Sequence, residues 1–274
     1  MPSLSDHQSN DLVKLLLIGN AKTGKTGSLV SLAKAGYKIR VLDMDNLLDI
    51  LKYMIQHQAP EALENVEFRT LRDKYKAGAV GSVIDGQPKA WINALKMLDS
   101  WKYDDTDLGK PSEWGPDCIL VVDSLSRLCD AAFDFHKAIN KNPDERSTYK
   151  NAQDDVERVL ATLTSGNYCT NVIVIAHVAF QDQPDGTRKG FPQGVGQALS
   201  PKIPQYFSSV ILYTNQNGKR TIRTNSTPLI DLANPAPFLI SPDYPIETGL
   251  ASIFEALRKP PVKDNPKPAL VKRA

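Results

Sequence analysis

Short apolar runs alternate with longer segments of helical periodicity along most of this chain. The apolar runs are aliphatic or β-branched, are flanked by polar turns, and lie at residues 12–18, 39–43, 66–71, 118–123, 171–177 and 208–214. Helical spacing of apolar residues marks residues 28–35, 46–56, 90–102, 124–139 and 152–165. Continuous apolar strands that alternate with helices are typical of a parallel sheet covered on both faces. The pattern predicts an α/β fold with a mostly parallel central sheet flanked by helices.

The second half of the chain contains a turn signal and irregular stretches. Asn217-Gly218 separates two strand-like runs within residues 213–225, which predicts a C-terminal antiparallel hairpin. Residues 102–115 are expected to form a surface insertion, and residues 180–204 a long mobile loop. Loops above about 15 residues without secondary structure are usually functional or disordered, so the second stretch is the more interesting.

Both ends of the chain differ in composition from the rest. Residues 1–11 are polar, and residues 258–274 are basic and rich in proline, so neither segment is able to pack a core. We expect both to be disordered. Residues 12–257 are then predicted to form one domain, because 274 residues with 41% hydrophobic content fit one large α/β domain better than two.

Composition restricts the location and the partners only in part. The net charge of +2 neither supports nor excludes a nucleic-acid partner, which would have to be held by local clusters of charge. Since the chain lacks both an apolar N-terminal core and a run of about 18 apolar residues, we expect a cytoplasmic protein without a membrane partner. Cys118, Cys129 and Cys169 lack metal-ligand spacing and are expected to be small core residues.

The strongest motif follows the first apolar run. It matches the phosphate loop G-x-x-x-x-G-K-[ST] and reads Gly19, Asn20, Ala21, Lys22, Thr23, Gly24, Lys25, Thr26, followed by Gly27. A strand before it and a helix after it are the context that this motif requires. Gly24 allows backbone N–H groups to point at the β-phosphate, Lys25 is expected to reach the β- and γ-phosphates, and Thr26 to ligate Mg²⁺. Residues 19–27 are therefore predicted to bind a nucleotide.

Acidic residues follow two other predicted strands. Asp123 ends the run CILVVD and is predicted to hold Mg²⁺, although it could instead cap the helix that starts at Ser124. Asp43 and Asp45 follow the strand after the phosphate loop, and parallel topology brings strand ends to one crevice. At least one of these two is predicted to orient or deprotonate the attacking water, with Asp45 preferred; the alternative is a solvated acidic turn.

These motifs together resemble the RecA-type ATPase core, over roughly residues 12–225. The closest similarity is to phage-encoded RecA-core single-strand annealing proteins. The resemblance implies ATP and Mg²⁺ as cofactors, with Asp45 as the catalytic carboxylate and Asp123 as the Mg²⁺-linked one. It also implies that His177, at the end of VIVIAH, senses the γ-phosphate, and as a histidine it could titrate near neutral pH. His177 as plain strand-end structure remains open.

Two cationic segments are candidates for contacts with DNA or a neighbouring subunit. The resemblance aligns residues 180–204 with a DNA-binding loop, in which Arg188 and Lys189 would contact phosphates and Phe191 would stack on a base. A mobile lid is the alternative. The predicted hairpin carries Lys219, Arg220 and Arg223. Of these three cations, the resemblance implies that Arg223 reaches the γ-phosphate of a neighbouring subunit. An exposed strand edge protected by charge is the other interpretation.

The leading hypothesis is an ATP-binding and hydrolysing protein that binds single-stranded DNA and promotes annealing or strand pairing in phage-type recombination. It would act in the host cytoplasm as a homo-oligomer, ring or filament, with a single-strand binding protein or another recombination factor as a possible partner. One alternative is a nucleotide-gated assembly factor or helicase loader with a protein partner. Another is a small-molecule P-loop kinase. DNA-stimulated hydrolysis would separate the first hypothesis from the other two.

Overall fold

The structure is a computed structural model that describes residues 12–79, 81–140 and 144–258. The strands of its main sheet are β1 (Lys14–Gly19), β2 (Lys38–Asp43), β3 (Val66–Thr70), β8 (Gly115–Asp123), β9 (Thr170–Ala176), β12 (Ser209–Gln216), β13 (Lys219–Arg223) and β14 (Asp243–Pro245). Their order across the sheet is β14-β13-β12-β1-β9-β8-β2-β3. The strands from β12 to β3 are parallel, and β13 and β14 continue the sheet antiparallel.

Three small two-stranded sheets accompany the main one. They are β4 (Tyr75–Gly78) with β5 (Gly81–Ile84), β6 (Lys102–Tyr103) with β7 (Thr106–Asp107), and β10 (Val178–Asp182) with β11 (Arg188–Pro192). The helices are α1 (Lys25–Ser28), α2 (Val30–Lys34), α3 (Asp49–Gln58), α4 (Ala90–Asp99), α5 (Leu125–Ile139), α6 (Glu145–Thr164), α7 (Gly196–Leu199) and α8 (Gly249–Arg258).

Helices cover both faces of the main sheet because its central strands are apolar on both sides. In β1, Leu15 and Leu17 belong to one apolar cluster and Leu16 and Ile18 to the other, and all four are essentially inaccessible to solvent. Helices α2, α3 and α8 pack on the Leu15 face, and α4, α5 and α6 on the Leu16 face. Because successive strand residues point to opposite faces, an unbroken apolar run is what a strand covered on both sides requires.

The α/β fold predicted from the sequence is confirmed, including the C-terminal hairpin. Asn217 and Gly218 both have positive φ, 53° and 84°, in the turn between β12 and β13. Helix α6 begins at Glu145, whereas its apolar spacing had indicated residue 152, because its first two turns are polar and show no apolar stripe. Asp144 caps this helix by accepting a hydrogen bond from the Arg146 N–H.

The prediction of a loop without secondary structure at residues 180–204 is wrong. Most of it is built from β10, β11, α7 and a 3₁₀ helix, Ser200–Tyr206. The hairpin turns at Gly186, which has a φ of 80°, and the Gln183 N–H donates to the Thr187 carbonyl at 2.7 Å. Asp185-Gly186 is a strong hairpin signal. It was missed because the strand residues next to the turn, 181–182 and 188–189, are polar and no unbroken apolar run marks the second strand.

Other expectations are met in part. The insertion at residues 102–115 contains β6, β7 and a 3₁₀ turn, and its last residue already starts β8. Of the three cysteines, only Cys129 is buried, while Cys118 is half-buried and Cys169 is exposed. Residues 1–11 and 259–274 lie outside the described residues; Arg258, placed in the tail by the sequence, is the last residue of α8 and donates to the Tyr37 hydroxyl. Among the described residues, no helix combines the length and apolarity needed to cross a bilayer.

Candidate nucleotide site

The phosphate loop connects β1, in the middle of the sheet, to α1. Gly24 precedes the helix with a φ of 97°, a left-handed conformation that favours glycine. A Cβ atom at Gly24 would lie 2.9 Å from Cδ1 of Ile246, so the loop is also closely packed against the C-terminal segment. The Nζ of Lys25 is almost fully buried and donates to the carbonyls of Gly19 and Asn20 at 2.8 and 2.9 Å. The loop therefore curls around its own lysine.

Thr26 and Asp123 are brought together by adjacent elements at the carboxyl edge of the sheet. The Thr26 hydroxyl donates to Oδ2 of Asp123 at 2.6 Å. Burial raises the pKa of Asp123 from its ordinary value to about 7, and burial also lowers the pKa of Lys25 to about 8. Ser124, not Asp123, caps the following helix, since its hydroxyl accepts from the Arg127 N–H. The helix-capping alternative for Asp123 is therefore not what the geometry shows.

The oxygen donors of this pair fit Mg²⁺. A hydroxyl beside a carboxylate supplies the one or two protein ligands that Mg²⁺ takes when phosphates and water supply the rest. Within the described part of the chain, no group of three or more His, Cys, Asp or Glu side chains forms a metal cluster. A nucleotide-dependent Mg²⁺ site is thus compatible with the residues present, whereas an all-protein metal cage is not found among them.

Asp43 and Asp45 have different surroundings. The Asp43 carboxylate is buried and accepts three hydrogen bonds, from the N–H groups of Asp45 and Asn46 and from the Thr70 hydroxyl. It thus fixes the turn after β2. Asp45 makes no such local bonds among those described; its side chain is 13% exposed and lies 3.5 Å from the guanidinium of Arg127. Of the two carboxylates, the geometry favours Asp45 for contact with a substrate.

His177 follows β9 and is half-buried beside the phosphate loop. Burial lowers its pKa, and the nearby charge of Lys25 acts in the same direction, so the ring is neutral at pH 7 rather than titrating there. The backbone N–H of His177 donates to the Ser126 hydroxyl at 3.1 Å, and that hydroxyl donates to the Gln193 carbonyl at 3.2 Å. Ser126 therefore links the start of α5 to both ends of the β10–β11 hairpin, a contact that no spacing in the sequence predicts.

The candidate DNA-binding residues lie on the β10–β11 hairpin. Arg188 is exposed, and its guanidinium lies 5.6 Å from the centre of the Phe180 ring on the opposite strand. The Nζ of Lys189 is 2.8 Å from Oδ2 of Asp231. Phe191 is half-buried, whereas Phe180 is 39% exposed, so the aromatic ring more accessible for stacking is one that the sequence analysis did not select.

The cations of the C-terminal hairpin are divided between two positions. The Nε of Arg223 is 2.9 Å from Oδ1 of Asp243 on β14. Arg220 instead lies against the phosphate loop of its own chain, with its Cδ 3.4 Å from a Cβ built at Gly24. Lys219 and Arg220 line a cavity of ≈ 560 Å³ together with Tyr244 and Ile246. Two residues of its wall, Arg220 and Ile246, also approach the phosphate loop at Gly24.

Comparison with known proteins identifies one family. The model of a family described as "AAA domain" matches residues 12–234. No curated protein sequence matches this chain.

The similar solved structures are distant. They include an ATPase from the type III secretion system of pathogenic bacteria, with a TM-score of 0.44 and 14% identity over 82% of this chain and 57% of that chain. The assembled ATPase EscN with its central stalk EscO from enteropathogenic E. coli has a TM-score of 0.43 and 13% identity over 74% of this chain and 42% of that chain. The ATP synthase subunit NeqB from Nanoarcheaum equitans has a TM-score of 0.40 and 11% identity over 74% of this chain and 45% of that chain. The chain spans about half the length of these structures.

Proposed function

Because this chain belongs to the AAA-domain family, we propose that it is a Mg²⁺-dependent ATPase. We further propose that it binds single-stranded DNA and promotes annealing or strand pairing in phage-type recombination. The observation that carries the ATPase assignment is the 2.6 Å contact between Thr26 of the phosphate loop and Asp123 at the end of β8. A phosphate loop and a buried strand-end carboxylate that share one hydroxyl are the arrangement that Mg²⁺-nucleotide binding requires.

Each residue of the site has a defined task in this proposal. Lys25 leaves the carbonyls of Gly19 and Asn20 to bind the β- and γ-phosphates, because phosphate oxygens carry full charges and carbonyl oxygens do not. Thr26 and Asp123 would hold Mg²⁺, and the bound ion would supply neutralisation of the negative charge on the phosphates. Asp45 orients the attacking water and accepts its proton.

The remaining parts of the nucleotide have space beside the loop. The ≈ 560 Å³ cavity is the position for the ribose and base, since Arg220 and Ile246 on its wall also approach Gly24 of the loop. His177, neutral and linked to the β10–β11 hairpin through Ser126, is the group that reports the γ-phosphate to that hairpin. Nucleotide state and hairpin position are thereby coupled in this proposal.

Single-stranded DNA is assigned to the β10–β11 hairpin. Arg188 supplies an exposed cation over the exposed Phe180 ring, a pairing that binds a phosphate and a base without reading sequence. Lys189 and Phe191 lie on the same strand as Arg188. The hairpin begins one residue after His177, so DNA bound there would be in a position to affect hydrolysis.

A homo-oligomer fits an apolar surface beside the nucleotide site. Leu47, Ile50 and Tyr53, in and before α3, are 67%, 49% and 61% exposed, and the Ile50 side chain also adjoins Gly27 of the phosphate loop. A second copy covering this surface would place its residues near the nucleotide, as the trans role of Arg223 requires. The same surface favours a second candidate function, a nucleotide-gated assembly factor or helicase loader that binds another protein there.

The first test is ATP hydrolysis by the purified protein with and without oligo(dT), at low and moderate salt. We expect turnover that DNA stimulates, that Asp45→Asn lowers about 100-fold or more at unchanged nucleotide affinity, and that Lys25→Ala abolishes together with binding. Turnover indifferent to DNA would favour the protein-partnered function or a small-molecule kinase. The absence of turnover in all conditions would contradict the ATPase assignment.

The second test addresses the DNA surface. The double variant Arg188→Ala/Lys189→Ala should weaken oligo(dT) binding and reduce the slope of log K against log salt by about 1.4, because each phosphate contact on a single strand contributes about 0.7. The control is Lys76→Ala, which removes an exposed cation from a different hairpin, β4–β5. An unchanged slope in the double variant would reject this surface.

A further inference from the structure

Arg127 lies between two carboxylates at the carboxyl edge of the sheet. Its Nε is 3.5 Å from Oδ1 of Asp45, and its Nη1 donates to Oδ2 of Asp130 at 3.0 Å. The Arg127 side chain is 57% exposed, whereas that of Asp45 is 13% exposed. The cation therefore has room to move, whereas the Asp45 carboxylate is largely shielded from solvent.

All four side chains given a task at the nucleotide have protein partners in this arrangement. Lys25 donates to the carbonyls of the loop, Thr26 donates to Asp123, and Asp45 contacts Arg127. The contacts of Lys25 and Thr26 must be exchanged before they can bind phosphate or Mg²⁺. The contact of Asp45 with Arg127 is a third contact of this kind, present in the site without nucleotide.

We propose that Arg127 is a positioning residue that restrains Asp45 in the resting site and releases it when the guanidinium turns wholly to Asp130 or to an incoming phosphate. This inference rests on the proposed ATPase function. While the guanidinium contacts Oδ1 of Asp45, that oxygen is turned toward Arg127 and not toward an attacking water. Asp130 competes for the same guanidinium through the shorter contact, so it acts against the restraint.

The two partners of the ion pair give opposite expectations, which general damage to the fold would not produce. Arg127→Ala removes the restraint and should raise DNA-free kcat about three- to tenfold at unchanged KM. Arg127→Lys keeps a cation and should restore a rate close to that of the original protein. Asp130→Asn removes the charge that competes with Asp45 for the Arg127 guanidinium. The contact between Arg127 and Asp45 then persists, and kcat should fall about threefold.

The experiment measures steady-state hydrolysis of Mg·ATP by the full chain without DNA, for the original protein and these three variants. The matched control is Arg158→Ala, since Arg158 makes the same kind of ion pair, with Asp155 three residues earlier on α6 at 3.0 Å, away from the site. Its rate should not change. Thermal unfolding of each variant establishes that it is folded.

The outcomes separate this inference from the proposed function. A faster Arg127→Ala with a slower Asp130→Asn supports the restraint. An Arg127→Ala variant whose kcat equals or falls below that of the original protein overturns the restraint. In that case the ATPase assignment still stands if DNA stimulates turnover and if Asp45→Asn loses turnover. An original protein without turnover, with or without oligo(dT), overturns the proposed function and the restraint with it.

Discussion

Asparagine in place of Asp123 should stabilise the nucleotide-free protein at pH 8 while abolishing hydrolysis. The Asp123 carboxyl is buried, and burial raises its pKa to about 7, whereas the same group in an unfolded chain has its ordinary value of 3.8. Between these two values the folded state holds a proton that the unfolded state has lost. Stability therefore falls as pH rises from about 3.8 to about 7, and it is constant above that.

The magnitude follows from the size of this shift. At 1.36 kcal/mol per pKa unit, a shift from 3.8 to about 7 corresponds to a destabilisation of about 4 kcal/mol above pH 7. At pH 5 only the interval between 3.8 and 5 contributes, which gives roughly 1–2 kcal/mol of destabilisation. Asparagine has no charge to bury, and its side-chain carbonyl can still accept from Thr26. The gain in stability from Asp123→Asn should thus grow by about 3 kcal/mol between pH 5 and pH 8.

Urea unfolding at pH 5, 6, 7 and 8, with EDTA and without nucleotide, measures this gain. Glu61→Gln is the control, because it removes one carboxylate that is exposed and should show no comparable pH dependence. A gain for Asp123→Asn that is the same at pH 5 and pH 8 would refute the reasoning, since it would mean that the carboxylate is not destabilised by its surroundings. The loss of turnover in a more stable protein would place Asp123 among residues kept for function.

Three further substitutions test other parts of the site. Ser126→Ala removes the hydroxyl between His177 and Gln193, so it should lower the free energy of unfolding in urea by about 1–3 kcal/mol and reduce the stimulation of hydrolysis by DNA. Unchanged stimulation would reject the coupling between the nucleotide site and the β10–β11 hairpin. Arg220→Ala should weaken nucleotide affinity about tenfold in calorimetry, because Arg220 adjoins its own phosphate loop, and wild-type affinity would exclude that contact. Arg223→Ala should abolish hydrolysis and spare nucleotide binding, and retained turnover would count against its action in trans.

The parts of the site that lie within one loop or at the end of one strand can be predicted from the sequence. The phosphate loop is contiguous, and Asp123 and Asp45 follow strands whose carboxyl ends share one edge of a parallel sheet. Apolar runs disclose those strands because both faces of the sheet are covered. The proximity of Thr26 and Asp123 is therefore predictable from the sequence alone.

Contacts between side chains from distant elements were not accessible in that way. The contact of Arg127 with Asp45 and that of Arg220 with the phosphate loop depend on how helices and loops pack, which no spacing in the sequence encodes. The β10–β11 hairpin was missed for a different reason. Its strands form a separate two-stranded sheet, and their residues next to the turn are polar, so they lack the unbroken apolar run that marks the strands of the main sheet.

The position of β1 has a consequence for how the protein is made. This strand is the first of the main sheet to leave the ribosome, yet its two neighbours are β9 and β12, which begin at Thr170 and Ser209. For most of synthesis the apolar strand that carries the phosphate loop has no partner on either side, and Ile246 and Arg220, which pack against Gly24, arrive later still. Nascent chains should therefore have no working nucleotide site, and a shortened chain that ends before β12 should expose an apolar strand edge prone to aggregation.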